Sequence, residues 1–177
     1  KDFSKKNSFH RVLWDHAIDP QSKGFIKLKK PEKIKKVILC SGKVYFDLLE
    51  AREKSKNDRI TIIRIEQLYP FPAKTLAKIL KRYKNAEFIW CQEEPKNMGA
   101  YGFVRRRIES VMGEINCKQK KIVYVGRRAA ASPATGVFDR HVENQKNILR
   151  LAIEADLKEI SEIWMGVSLV KYQLPIE

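Results

Sequence analysis

The sequence has 177 residues, of which 36 are lysine or arginine and 21 are aspartate or glutamate, so its formal net charge is +15. The length suits one domain with a short extension, and no apolar run approaches the roughly 20 residues of a membrane-spanning helix. The 3 cysteines are widely spaced and have neither the pattern of a disulfide framework nor zinc-ligand spacing. We therefore expect a globular domain of a reducing compartment, with Cys40 and Cys91 as core residues. No signal-peptide pattern is present, and the start at Lys1 rather than at a methionine leads us to expect an excised piece or a start outside this sequence.

The positive charge has two interpretations. A basic domain can bind nucleic acid or another anionic surface. Here, however, the lysines are dispersed along the chain, and no helix-turn-helix, zinc-finger or aromatic RNA-binding motif accompanies them. A solvated lysine-rich surface is the simpler interpretation, and a nucleic-acid- or anion-binding module is kept as the alternative.

Residues 1–32 are polar and irregular, with turn signals around residues 19–24. We interpret them as a linker or arm from a preceding domain. Four apolar residues in this segment could hold the arm against a larger body: Phe9, Val12, Leu13 and Trp14.

A regular alternation of strands and helices follows the arm. Short apolar or β-branched runs predict strands at residues 36–40, 59–67, 86–92 and 120–127. Helical periodicity predicts helices at residues 43–54, 70–85, 99–115 and 139–164, the last with a break near Ala155. This order predicts an α/β fold with a three-layer, mostly parallel sheet covered by helices on both faces. The predicted domain spans residues 33–153, and residues 154–177 form a C-terminal helical tail.

Four irregular stretches each follow a predicted strand: "SGK", "IEQLYPFP", "CQEEPKNMGA" and "VGRRAAASPATG". In a parallel sheet these stretches share the carboxyl edge, where open α/β sheets bind ligands. That edge should collect Glu66, Glu93, Glu94, Lys96, Arg127, Arg128 and the helix start near Gly99.

The stretch "WCQEEPKNMGAYG" has three interpretations. Glu93 and Glu94 resemble a general acid/base pair, but adjacent strand residues point to opposite sides and do not converge on one bond. We therefore predict no catalytic residue here. Lys96, Arg127 and Arg128 could instead bind an anionic effector near the helix start.

The third interpretation is a docking joint between domains. Pro95 fixes the chain direction after the strand, so one of the two glutamates should face a cation from another domain or subunit. Methionine and tyrosine are typical of interfaces. The predicted docking residues are Glu93, Glu94, Met98, Gly99 and Tyr101. We also expect Gly99 and Gly136 to tolerate side chains badly, because both lie where irregular chain meets a helix.

Four segments carry a specific resemblance: "VILCSGKVYFDLL", "RIEQLYPFP", "WCQEEPKNMGAY" and "YVGRRAAASPATG". In this order and spacing they resemble the C-terminal region of the thiamine-diphosphate-dependent first component of the 2-oxoglutarate dehydrogenase complex. The resemblance covers roughly residues 35–150. It implies a transketolase C-terminal-like α/β domain, mostly parallel, with one antiparallel edge strand.

The resemblance also implies a function for the whole enzyme. Such an enzyme decarboxylates 2-oxoglutarate on thiamine diphosphate and Mg²⁺ and transfers the succinyl group to the lipoyl arm of its succinyltransferase partner. The "GDG" motif that binds diphosphate and magnesium in this family is absent from the sequence. We therefore expect no cofactor, metal or activity in this chain alone. The expected partners are preceding domains, a second subunit of a homodimer and the succinyltransferase, in the bacterial cytoplasm or the mitochondrial matrix, with no membrane.

Overall fold

The computed structural model describes residues 9–18 and 25–164. Its sheet contains β1 (Val12–Leu13), β2 (Lys36–Cys40), β3 (Ile60–Ile65), β4 (Glu87–Pro95) and β5 (Val123–Arg127). The helices are α1 (Val44–Ser55), α2 (Ala73–Leu80), α3 (Tyr101–Glu114), α4 (Phe138–Ile153) and α5 (Leu157–Trp164). Short 3₁₀ turns occupy His16–Ile18, Pro31–Lys33 and Lys81–Tyr83.

The sheet has the strand order β1-β3-β2-β4-β5. Strand β2 lies in the middle and pairs in parallel with β3 and β4, for example Ile38 with Ile62 and with Ile89. Strand β5 is parallel to β4, whereas β1 is antiparallel to β3. Every residue of β2 and β3 is buried, as expected for strands covered on both faces. The predicted mostly parallel α/β sheet is confirmed, including one antiparallel edge strand.

Two apolar layers cover the two faces of this sheet. One contains α2 and α3 packed on alternate strand residues, and its largest members include Trp90, Phe88, Leu76, Ile108 and Tyr124. The other contains α1, α4 and α5 and includes Ile38, Ile62, Leu48, Ile148 and Ile160. Alternation of strand side chains thus assigns neighbouring residues such as Ile89 and Trp90 to opposite layers.

The described part of the arm joins the sheet. Val12 is buried and pairs with Ile65 in β1–β3, whereas Phe9 is 67% exposed. Trp14 lies under the guanidinium of Arg82, 5.0 Å from the ring centroid. The segment is therefore not irregular throughout, because it supplies the antiparallel edge strand. The division into arm, domain and tail at residues 32 and 153 stays a prediction.

Asp15 follows β1 and anchors the arm beside the free edge of β3. Its carboxylate forms a fully buried ion pair with Arg52 of α1. It also accepts hydrogen bonds from the backbone N–H of Ile62 at 2.8 Å and from the hydroxyl of Thr61 at 3.3 Å. One carboxylate thus joins the arm, a helix and the edge strand.

The helix break predicted near Ala155 is confirmed, because α4 ends at Ile153 and α5 begins at Leu157. At this break, Lys36 supplies hydrogen bonds to the backbone carbonyl groups. The buried ammonium of Lys36 donates to the carbonyl oxygens of Ala152 at 3.1 Å and Ala155 at 2.6 Å. Burial lowers the pKa of Lys36, and the carboxylates of Glu87, Asp156 and Glu159 oppose that change. A cation here satisfies carbonyl groups that the end of α4 leaves without helical partners. The rest of the predicted tail, residues 165–177, lies outside the described residues.

All three cysteines are free and buried. Burial raises the pKa of the Cys40 and Cys91 thiols, which keeps them protonated and unreactive. The expectation that they are core residues is confirmed.

Among residues 9–18 and 25–164, no helix is both long and apolar enough to cross a membrane.

Candidate functional site

The carboxyl ends of the parallel strands meet at one edge, as the sequence predicts. A cleft of about 630 Å³ opens there between the ends of β2 and β4 and the start of α3. Its apolar wall includes Leu68, Tyr69 and Phe103, and Tyr69 is 82% exposed. Its polar wall includes Ser41, Lys43, Gln92, Glu93 and Glu94. The site is therefore a half-apolar cleft with carboxylates on one side.

Gln92 organises this edge, and the sequence analysis did not single it out. Its amide oxygen accepts from the indole N–H of Trp90 and the backbone N–H of Tyr101, both at 2.9 Å. Its amide nitrogen donates to the carbonyl oxygens of Glu94, Pro95 and Met98 at 3.2, 3.1 and 2.8 Å. The side chain is 3% exposed, so the turn after β4 is anchored from below by one buried amide.

The two glutamates lie inside β4, which runs to Pro95 rather than ending near Gln92 as predicted. Glu93 is half-buried and forms an ion pair with Lys43 at 2.9 Å. Hydrogen bonds to Glu93 and Asp47 raise the pKa of Lys43. Glu94 is exposed, and its carboxylate forms no ion pair within the part of the chain that the structure describes. Glu93 is therefore paired within the domain, whereas Glu94 leaves an exposed carboxylate on the wall of the cleft.

The other predicted docking residues differ in accessibility. Met98 is half-buried and Gly99 is exposed. Tyr101 is only 8% exposed, and its ring packs on Tyr124 with centroids 4.7 Å apart. The structure thus places Tyr101 in the core beneath the turn, where it supports the surface rather than forming it.

Gly99 occupies a backbone position that suits glycine. Its φ is +65°, in the left-handed region that side chains disfavour. An added Cβ would lie 3.0 Å from the Cβ of Glu94 and 3.1 Å from the amide nitrogen of Gln92. The same expectation for Gly136 is wrong. No atom lies within 4 Å of a Cβ built there, and its φ is not in the left-handed region.

Replacing Gly99 with valine is expected to lower the free energy of unfolding by about 1–2 kcal/mol, because a β-branched residue is strained at positive φ. Gly136→Val is the matched control and should change stability by no more than about 0.5 kcal/mol. Urea unfolding followed by circular dichroism measures both. Equal midpoints for Gly99→Val and the control would show that the position imposes no strain.

The three predicted anion-binding cations lie on two adjacent turns. The backbone N–H of Lys96 donates to the carbonyl of Arg127 at 3.1 Å, and the side chain of Asn97 exchanges two hydrogen bonds with the backbone of Ala130. The side chains have separate contacts, however. The ammonium of Lys96 lies 4.9 Å from the ring centroid of Trp164, and Arg127 donates to the carbonyl of Pro133 at 3.0 Å. Arg128 is exposed.

The described residues do not fit a magnesium–diphosphate cofactor. They contain no group of three or more histidine, cysteine, aspartate or glutamate side chains placed to hold a metal ion. At the carboxyl edge, the carboxylates of Glu66 and Glu93 are already paired with Arg64 at 3.1 Å and Lys43 at 2.9 Å. No catalytic step can be derived through that cofactor from these residues.

Fold and site together define an α/β domain with a half-apolar cleft at the carboxyl edge of its sheet. The family model of the 2-oxoglutarate dehydrogenase C-terminal domain matches residues 1–153. The chain therefore belongs to the 2-oxoglutarate dehydrogenase C-terminal family, as the sequence motifs predict.

Two curated relatives agree with this family. The 2-oxoglutarate dehydrogenase E1 component of Brucella abortus (strain S19) is 53% identical over 141 residues, which are 80% of this chain and 14% of that protein. The E1 component of Brucella anthropi is 52% identical over the same length. A solved chain described as a split-gene transketolase, inactive β4 tetramer, superposes with a TM-score of 0.47 and 12% identity over 86% of this chain and 45% of that one. The chain thus spans a small C-terminal share of its curated relatives.

Proposed function

We propose that this chain is the C-terminal docking domain of a 2-oxoglutarate dehydrogenase. The complete enzyme would decarboxylate 2-oxoglutarate oxidatively, using thiamine diphosphate and Mg²⁺ held outside this chain. It would pass the succinyl group to the lipoyl group of a succinyltransferase partner in the tricarboxylic acid cycle. The support is the family membership and the relatives named 2-oxoglutarate dehydrogenase E1 component.

One observation carries the docking role. The turn after β4 is anchored by Gln92, and beside it Glu94 presents an exposed carboxylate without an ion pair among the described residues. The adjoining cleft exposes Tyr69 and Phe103. A rigid turn with one available charge and an apolar neighbour favours a contact that combines a cation with apolar side chains.

Within a complete enzyme, we assign this surface to the preceding domains of the same chain or to the second subunit of a homodimer. Glu93, Glu94, Met98 and Gly99 form the contact, and Tyr101 supports it from the core. Glu94 faces a lysine or arginine across the boundary. Bacterial relatives support a cytoplasmic location, with the mitochondrial matrix as its eukaryotic equivalent.

Hydrogen exchange tests the docking role in the isolated chain and in a complete enzyme that carries this domain. Backbone amides of residues 96–100 should exchange at least about tenfold more slowly in the complete enzyme, because the boundary excludes water from the turn. Glu94→Gln should reduce that added protection more than Glu93→Gln does, because Glu93 is paired with Lys43 within the domain. Equal exchange in both proteins would contradict docking at this edge.

The isolated chain is expected to have no 2-oxoglutarate decarboxylase activity. The described residues offer no metal-binding cluster, and the cofactor needs a cradle for its diphosphate and metal. Purified chain with thiamine diphosphate, Mg²⁺ and an artificial electron acceptor should give the background rate. Turnover that persists through repurification would contradict the proposed role.

A second candidate role is binding of an anionic, nucleotide-type effector by Lys96, Arg127 and Arg128. The favouring observation is that backbone hydrogen bonds hold Lys96 next to Arg127 on clamped turns. Because the ammonium of Lys96 lies over the indole of Trp164, its departure toward a phosphate should change indole fluorescence.

Titration with AMP, and separately with inorganic phosphate, tests the effector role. We expect a saturable fluorescence change that Trp164→Phe abolishes and Arg128→Ala weakens. The control is Arg106→Ala, on the exposed face of α3. No change with either anion, or equal weakening by both arginine variants, would reject this site.

A further inference from the structure

A cluster of cations lies at the amino edge of the sheet, at the opposite end of the strands from the cleft. Its members follow α2 or precede β5, and all are exposed: Lys81, Arg82, Lys84, Lys118, Lys120 and Lys121. We call this surface the basic patch. Among the residues that the structure describes, no ion pair involves any member of the basic patch.

Hydrogen bonds hold the two segments of the basic patch together. The backbone N–H of Lys118 donates to the carbonyl of Lys84 at 3.0 Å. The side chain of Gln119 exchanges hydrogen bonds of 2.8 Å with both backbone groups of Phe88 and donates to the carbonyl of Lys121 at 2.6 Å. The backbone beneath the lysines is therefore fixed against β4.

A buried thiol is affected by charges from both segments of the basic patch. Burial raises the pKa of the Cys117 thiol, and the charges of Lys120 and Lys84 oppose that rise. The charges of the two segments thus favour the same group, the thiolate form of Cys117.

Lysines elsewhere on the surface form ion pairs with carboxylates. Lys29 pairs with Asp58 at 3.0 Å, and Lys54 pairs with Glu50 at 2.6 Å. In the basic patch, a backbone hydrogen bond instead joins two lysine-bearing segments, and no carboxylate among the described residues forms an ion pair with their cations. A partner of opposite charge would be attracted to these cations at long range.

We propose that the basic patch binds an acidic segment, rich in aspartate and glutamate, of a partner protein. Five of its six cations are lysines, whose flexible ammonium groups act as point charges and suit the mobile carboxylates of an extended acidic segment. Tyr83, within the same stretch, is 3% exposed and offers no ring on which a base could stack, and the guanidinium of Arg82 already lies over the ring of Trp14. The proposal does not depend on the docking role, because the basic patch lies at the other end of the strands.

Fluorescence anisotropy of the 177-residue chain with labelled poly-L-glutamate of about 20 residues tests the proposal. We expect saturable binding that weakens as salt rises from about 50 to 150 mM, since salt screens exposed charges. The variant Lys84→Glu/Lys118→Glu/Lys120→Glu should bind at least about tenfold more weakly. The control Lys74→Glu/Lys78→Glu/Lys146→Glu, also built on exposed lysines and with the same net charge, should lose less than about threefold.

Three outcomes would overturn the proposal. Absence of binding to poly-L-glutamate would reject an acidic partner. Equal losses in the two triple variants would show an effect of net charge alone. Tighter binding of single-stranded DNA of about 20 nucleotides, lost in the same patch variant, would make the surface a nucleic-acid site. Circular dichroism of all variants would detect misfolding. Replacing the same three lysines with glutamine should cause an intermediate loss of affinity, as expected for an effect of charge.

Discussion

Replacing Arg52 with methionine is expected to lower the free energy of unfolding by about 3–5 kcal/mol, because it leaves the carboxylate of Asp15 buried without its cation. Both side chains of this pair are fully buried. Asp15 would keep only the neutral donors of Thr61, Ile62 and Ala17. Since Asp15 ties the arm to β3, β1 should detach before the rest of the sheet unfolds.

Chemical denaturation measures the loss in stability, and hydrogen exchange of residues 12–16 measures the release of the arm. Lys54→Met on the same helix is the matched control, because Lys54 is exposed and forms only a surface ion pair with Glu50. The double variant Asp15→Asn/Arg52→Met should recover part of the loss, since it removes the orphaned charge. A loss below about 1 kcal/mol in Arg52→Met would show that the ion pair does not anchor the arm.

The second large effect is expected at Gly126, where alanine should cost about 2–3 kcal/mol through overpacking. A Cβ at this position would lie 2.7 Å from Cζ of Tyr124 and 2.8 Å from the backbone oxygen of Gln92. The ring of Tyr124 cannot move away easily, because it is packed between Tyr101 and Trp164. The oxygen of Gln92 belongs to the backbone of β4. Gly126 is therefore required for the close approach of β5 to β4.

The same substitution should disturb the turn that follows β4. The hydroxyl of Tyr124 lies 3.1 Å from the carbonyl oxygen of Glu94 and 2.8 Å from that of Arg127. Burial raises the pKa of Tyr124, so the phenol stays neutral and keeps the one hydrogen that it can donate to these carbonyl groups. Displacing the ring would weaken both contacts.

Thermal unfolding of Gly126→Ala measures the loss in stability, and exchange of residues 93–98 should rise with it. Gly113→Ala is the control, because its Cβ meets no atom within 4 Å and alanine favours the helix α3. If the two alanine variants melt at the same temperature, the contacts around Gly126 are not tight.

The two ends of the sheet offer different chemistry to partners. The carboxyl edge presents an apolar cleft and the carboxylate of Glu94, whereas the amino edge presents the basic patch. Although the lysines are dispersed along the sequence, those of the basic patch come together from two separate segments. Distant segments meet at the amino edge, as the hydrogen bond between Lys118 and Lys84 shows.

The amino-acid sequence by itself determined the local elements and the family. Apolar runs and helical periodicity depend on neighbouring residues, so the strands, the helices and the break near Ala155 could be predicted from spacing. The common carboxyl edge followed from parallel pairing, and the family followed from four motifs in series. Gly136 was predicted wrongly because its surroundings, which the sequence does not show, are open.

Only the tertiary structure decided which distant groups meet. Strand order, the place of β1 on the edge of β3 and the ion pair between Asp15 and Arg52 join residues far apart in sequence. The sequence analysis did not single out Gln92, because it gains its role from partners on both sides of the turn. The physical reason is that burial and hydrogen bonding are set by what the fold places around a side chain, whereas periodicity records only which face it occupies.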